Sequence, residues 1–199
     1  MIGIVDYGVG NLFSLKSSLK YLNADCIVTS DADLIYKCDK VILPGVGAFA
    51  DARKKLGELG LDECVCELAK RGTSILGICL GMQLLFDKSY EYGEHKGLGL
   101  VPGQVKLIET KSDLKIPHIG WNALSIKENE QVFKYISNGS HVYFVHSYYA
   151  TDCLQHTIAT TEYGISLTAA VRNENVIGMQ FHPEKSGGVG LNILRAFIE

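Results

Sequence analysis

The chain has no cluster of basic residues: 19 Lys and Arg are scattered among 22 Asp and Glu over 199 residues, for a net charge of −3. Phosphate backbones are held by clustered positive charge, so nucleic acid is excluded as a partner. Long apolar runs are missing too. The most apolar stretch, 74–86, contains Gln83 and is shorter than the ~20 residues that cross a bilayer, so no membrane association is expected. The opening Met1-Ile2-Gly3-Ile4-Val5-Asp6 has no basic start and puts an aspartate where a secretory leader is apolar. The six cysteines include no C-x-x-C pair, and Cys64 and Cys66 sit two apart in a helix-like stretch, where they point in different directions. Neither a metal site nor a disulfide framework is expected; free thiols suit a reducing cytoplasm. There is no G-x-x-x-x-G-K-S/T phosphate loop, and Gly8-Val9-Gly10 opens like a dinucleotide fingerprint but has bulky Phe13 where the third glycine belongs. No cofactor is expected.

What is present is a core-forming composition, 47% hydrophobic against 21% charged, which rules out intrinsic disorder. Ile2 to Tyr7 is a β-branched run that ends in a glycine turn, after which Leu12, Leu15, Leu19 and Leu22 recur at helical spacing. The rhythm returns at Cys26–Val28, at Val41–Leu43, and at Ser74–Ile78 before a helix through Leu80, Leu84 and Leu85. Alternation of this kind builds a parallel sheet. From Val101 onward, strand-like runs follow one another at 105–108, 141–147, 157–161, 168–171 and 176–181, before a closing helix over 191–198. The second half is therefore expected to add antiparallel strands. No repeat or linker divides the chain, which reads as one domain over 1–199.

Gly77-Ile78-Cys79-Leu80-Gly81 has the form of a nucleophile elbow with cysteine in the serine position, where a buried strand turns into a helix. Unsatisfied N–H groups at a helix start favour negative charge on the sulfur. A cysteine nucleophile needs a base and the base an orienting group. Gln180-Phe181-His182-Pro183-Glu184 supplies both; in extended backbone His182 and Glu184 point to the same side. Pro44-Gly45-Val46-Gly47 follows a buried strand, and backbone N–H groups in such a loop can face a developing oxyanion.

In the order Pro-Gly-Val-Gly, Gly-Ile-Cys-Leu-Gly-Met-Gln, His-Pro-Glu, these segments resemble the class I (triad) glutamine amidotransferases. Asp6-Tyr7-Gly8-Val9-Gly10-Asn11-Leu12, Ile119-Gly120-Trp121-Asn122, Tyr143-Phe144-Val145-His146-Ser147-Tyr148 and His182-Pro183-Glu184-Lys185-Ser186 extend the resemblance, within that family, to a branch of separate glutaminase subunits. The resemblance implies a flavodoxin-like three-layer α/β fold, with a mixed, mostly parallel sheet between helices. It implies that Cys79 attacks the side-chain amide of L-glutamine, His182 shuttles the proton and Glu184 orients the histidine. The N–H groups of Val46 and Leu80 would form the oxyanion hole; Gln83 and Glu91, with backbone from Gly47, Ser147 and Tyr148, would hold the substrate. The implied partner is a (β/α)8 barrel cyclase subunit, met by Asn11, Trp121, Asn122, Tyr143 and Lys185. Activity in the family is coupled across that interface, so the free chain is expected to be nearly inactive. Val9 and Ile119 stand where the family commonly has methionine.

Overall fold

The structure, a computed structural model, describes residues 1–109 and 114–199. In chain order its first half contains β1 (Ile2–Val5), α1 (Leu12–Tyr21), β2 (Cys26–Thr29), α2 (Ala32–Ile35), β3 (Lys40–Leu43), α3 (Phe49–Glu58), α4 (Leu61–Lys70), β4 (Ser74–Ile78) and α5 (Leu80–Leu84). The second half contains β5 (Phe86–Ser89), β6 (His95–Lys96), β7 (Val101–Leu107), β8 (His118–Ala123), β9 (Ser125–Ile126), β10 (His141–His146), β11 (Tyr148–Thr151), β12 (Thr157–Glu162), β13 (Ser166–Asn173), β14 (Val176–Met179) and α6 (Gly187–Ile198). The central sheet runs β2-β1-β3-β4-β14-β13-β12-β9. Its first five strands are parallel and the remaining pairings antiparallel, as expected of a mostly parallel α/β sheet with antiparallel additions.

Residues of β1, β3 and β4 alternate between two cores, which is why these strands read as unbroken apolar runs. Val5, Val41, Leu43 and Ile75 pack on one face with α3 and α4, while Ile4, Ile42, Leu76 and Ile78 pack on the other with α1 and α6. The helix expected to run through Leu85 stops at Leu84, because Phe86 begins β5 and pairs in parallel with β7. The closing helix starts at Gly187, four residues before its apolar periodicity begins. Among the described residues no helix is long and apolar enough to cross a membrane. All six cysteines are free thiols.

Candidate active site

β3, β4 and β14 are neighbours and parallel. Loops leaving their carboxyl ends therefore converge, and that end of an open parallel sheet is where ligands bind. The three loops carry Pro44–Gly47, Cys79 and Gln180–Glu184.

Cys79 sits between β4 and α5 with φ 54° and ψ −110°, a conformation L-residues rarely adopt. Its N–H donates to the Met179 carbonyl at 2.7 Å, so pairing with the next strand's end holds the turn in place. Gly81 makes the turn possible: a Cβ there would lie 1.8 Å from the Leu43 carbonyl oxygen. With only five residues, α5 has little macrodipole. The helix is shorter than expected, and the first two N–H groups of the turn are taken, Cys79 donating to the Met179 carbonyl and Leu80 to the Gly45 carbonyl.

His182 Nδ1 lies 2.8 Å from Glu184 Oε1, with the two side chains 2% and 4% exposed. The expected extended pairing is replaced by a turn. Pro183 opens a single 3₁₀ turn over Pro183–Lys185, because its fixed φ suits the first position of a helical turn, and the turn swings Glu184 back onto the ring. The Ser186 hydroxyl donates to the His182 carbonyl at 2.6 Å and accepts from the Tyr143 N–H at 3.0 Å, which locks this turn to β10. His182 Nε2 is buried with no hydrogen-bond partner among the described residues. Cys79 and His182 line the same cleft. Burial lowers the imidazole pKa, but the Cys79 sulfur and the Glu184 carboxylate outweigh it and His182 is pushed up to about 9. No hydrogen bond is formed between the ring and the sulfur.

The cleft has a volume of about 380 Å³, room for a small metabolite, and Val46, Gly47, Leu80, Gln83, Glu91, Ser147 and Tyr148 all contribute to its wall. Several are already engaged. The Leu80 N–H donates to the Gly45 carbonyl at 3.3 Å. Gln83 is buried, and its amide nitrogen donates to both the Tyr148 carbonyl and Gln180 Oε1 at 3.0 Å. Glu91 Oε2 accepts from the Phe49 N–H at 2.6 Å, which caps α3, whose own N-cap residue Ala48 makes no side-chain bond. Sequence reasoning did not select Gln180, whose amide nitrogen lies 3.8 Å from the Cys79 sulfur, nor Tyr92 and His146 in the cleft wall. Gln180 had a legible signal: a polar residue at the end of an apolar strand, two positions before the histidine.

Of the residues implied to face a partner, Trp121 is 53% exposed and stands edge-on to Tyr143, with centroids 6.1 Å apart. Lys185 Nζ lies over the Tyr143 ring at 5.9 Å. Asn11 caps α1, accepting from the Ser14 N–H at 3.4 Å. Asn122 differs: its side-chain oxygen meets His118 Nε2 at 2.8 Å and its nitrogen donates to the Glu162 carbonyl at 3.0 Å, so both polar ends are bonded within the chain.

The family model described as glutamine amidotransferase class-I matches residues 3–199. The chain is 49% identical over 199 residues to the imidazole glycerol phosphate synthase subunit HisH of Lacticaseibacillus casei (strain BL23), covering 100% of this chain and 95% of that one. It is also 49% identical over 200 residues to HisH of Caldanaerobacter subterraneus subsp. tengcongensis, covering 98% of that relative and 100% of this chain. A crystal structure of a glutamine amidotransferase shares the fold, with a TM-score of 0.77 at 20% identity, covering 98% of this chain and 96% of the other. The chain belongs to the class-I glutamine amidotransferases.

Proposed function

We propose that the chain is the glutaminase subunit of an imidazole glycerol phosphate synthase: a single amidotransferase domain over 1–199 that hydrolyses L-glutamine in the cytoplasm. Its ammonia passes to a (β/α)8 barrel cyclase subunit, which makes imidazole glycerol phosphate and an aminoimidazole carboxamide ribonucleotide in histidine biosynthesis. The full-length 49% identity to synthase subunits supports the pathway and partner. The observation that carries the chemistry is His182, buried against Glu184 and lining one cleft with Cys79.

In the reaction, the Cys79 sulfur attacks the side-chain amide carbon of glutamine. His182 gives its proton to the departing nitrogen, the C–N bond breaks, and a thioester and ammonia result. Water then attacks the thioester as His182 takes back a proton; the C–S bond breaks, freeing glutamate and the cysteine. The test is glutamate release with the cyclase subunit present and absent. No release in either case overturns the proposal, and stimulation only by a different synthase would assign the chain to a paralogous glutaminase.

Glu184→Gln keeps the shape of the pair and removes its charge. The expected result is a fall in kcat of about 10²-fold or more with little change in KM, since the carboxylate stabilises an imidazolium rather than substrate. Because the carboxylate helps to raise His182, the alkaline limb of the pH profile should move to lower pH than in the wild type. An unmoved limb removes Glu184 from this role.

Trp121→Ala should weaken binding of the cyclase subunit by about 2 kcal/mol, the size typical of an aromatic anchor. The melting temperature of the free chain should hardly change, because an indole 53% exposed contributes little to the core. Loss of melting temperature with unchanged partner affinity would make Trp121 a packing residue instead.

A further inference from the structure

A continuous chain of polar contacts leads away from the nucleophile, and the proposed chemistry uses only its first members. From the Cys79 sulfur it passes to Gln180, Gln83 and the Tyr148 carbonyl. His146 Nδ1 lies 2.9 Å from that carbonyl, His146 Nε2 lies 3.0 Å from His118 Nδ1, and His118 Nε2 lies 2.8 Å from Asn122 Oδ1. Both imidazoles are more than nine-tenths buried. His146 is on β10 and His118 is directly opposite it on β8.

The ends of this pair fix its proton count. The Tyr148 carbonyl can only accept, so His146 Nδ1 must carry a proton. Asn122 Oδ1 can only accept, and the amide cannot be reversed, because its nitrogen donates to the Glu162 carbonyl and a flipped side chain would set oxygen against oxygen. His118 Nε2 must therefore carry a proton too. The bond between the rings needs a third, but two neutral imidazoles hold only two.

We propose that His118 supplies the third proton: as an imidazolium it donates from both ring nitrogens, and it is a positioning residue that ties the Ser147–Tyr148 wall of the cleft to the Trp121 strand. Its surroundings suit a cation. The ring is stacked between Phe144 at 4.9 Å and Tyr163 at 4.1 Å between centroids, and aromatic faces attract positive charge. Among the described residues, the titratable groups facing His118 are His146 on β10 and Tyr163 after β12, with His182 acting on His146 from beyond. Burial pushes His146 down to about 4, against the pull of the Tyr148 carbonyl, so the extra proton belongs on His118. Burial also lowers His118, while Asn122 works the other way. The sequence of events follows: in mild acid the chain of bonds is whole, and as pH rises through the His118 pKa one link opens.

The test is a side-chain NMR titration of the full protein with ¹⁵N-labelled histidine between about pH 5 and 8, where imidazole changes charge. His146 should stay neutral with its proton on Nδ1, while His118 should be doubly protonated at the acid end and lose one proton on the way up. His118 neutral throughout, or His146 carrying its proton on Nε2 in acid, overturns the proposal. A second measurement rests on the glutaminase reading and uses the complex with the cyclase subunit. KM for glutamine should rise about two- to tenfold as His118 deprotonates, the loss expected for one hydrogen bond. His118→Phe keeps the stack and should hold KM at the higher value across the range; a wild-type KM profile in this variant removes the positioning role. The wild-type spectra need no variant, so poor folding of His118→Phe leaves the proton count open to test. A complex that releases no glutamate at all fails the glutaminase reading and leaves the ring-proton result standing by itself.

Discussion

Cys79→Ala should reduce glutamine hydrolysis by about 10⁴-fold or more, because no neighbouring group can replace the nucleophile and form the thioester. Synthesis from added ammonium salt by the complex should survive, since the cyclase subunit would receive ammonia from solution. Hydrolysis at near the wild-type rate would mean that another residue is the nucleophile. The same position makes a stability test possible. With φ at 54° and ψ at −110°, residue 79 is in a region that costs on the order of 1–3 kcal/mol for any residue with a Cβ. Alanine keeps that strain and glycine removes it. Cys79→Gly should therefore melt no lower than Cys79→Ala, a reversal of the usual order in which glycine destabilises. If the alanine variant melts clearly higher, the elbow is not strained, and its sharp turn is simply the conformation that the flanking Gly77 and Gly81 impose.

The parallel strands were legible because burial on both faces leaves an unbroken apolar run bounded by glycine or proline, as in Val41-Ile42-Leu43 before Pro44. The elbow was legible for a related reason: a cysteine between two glycines at the end of such a run has few structural alternatives. The pairing of His182 with Glu184 was expected from extended backbone and is instead made by a turn, since Pro183 has two local readings, a break or a first helical position. The histidine pair was hidden for another reason. His118 and His146 are 28 residues apart and meet only because β8 and β10 pair in a register that sets them opposite each other. Register between distant strands has no signature in either strand alone. Glu91 was implied as a substrate ligand, but its bond to Phe49 depends on how the turn after β5 folds back over α3.

The free chain should hydrolyse glutamine on the order of 10³-fold more slowly than the complex with the cyclase subunit and its nucleotide ligand bound, through the orientation of one peptide. The Gly45 carbonyl accepts from the Leu80 N–H at 3.3 Å. In a trans peptide the Val46 N–H then points the opposite way, away from Leu80. Neither N–H implied for the oxyanion hole is available: one is occupied and the other is turned out. The segment is anchored on both sides. The Tyr7 hydroxyl donates to the Pro44 carbonyl at 2.6 Å, and Glu91 holds the Phe49 N–H at 2.6 Å. Between these anchors Gly47 has φ +101° with open space around it, and Val46 is exposed. Rotation of the Gly45–Val46 peptide breaks this hydrogen bond and presents two donors at once. One such donor is typically worth about 2.7–4 kcal/mol in the transition state, so a chain held in the resting loop state forgoes on the order of 10³-fold in rate. The partner's ligand can drive the change only by differential affinity for the two loop states. Val46→Pro deletes the N–H that rotation would bring in, and glycine before it tolerates the substitution. The stimulated rate should fall by about 10²–10³-fold, closing most of the gap between free and stimulated enzyme. Gly47→Pro is a poorer probe, because proline cannot adopt the φ of +101° that the resting loop already uses. A free wild-type chain as fast as the liganded complex, or full stimulation of Val46→Pro, would rule out the peptide rotation while leaving the assignment of Cys79, His182 and Glu184 untouched.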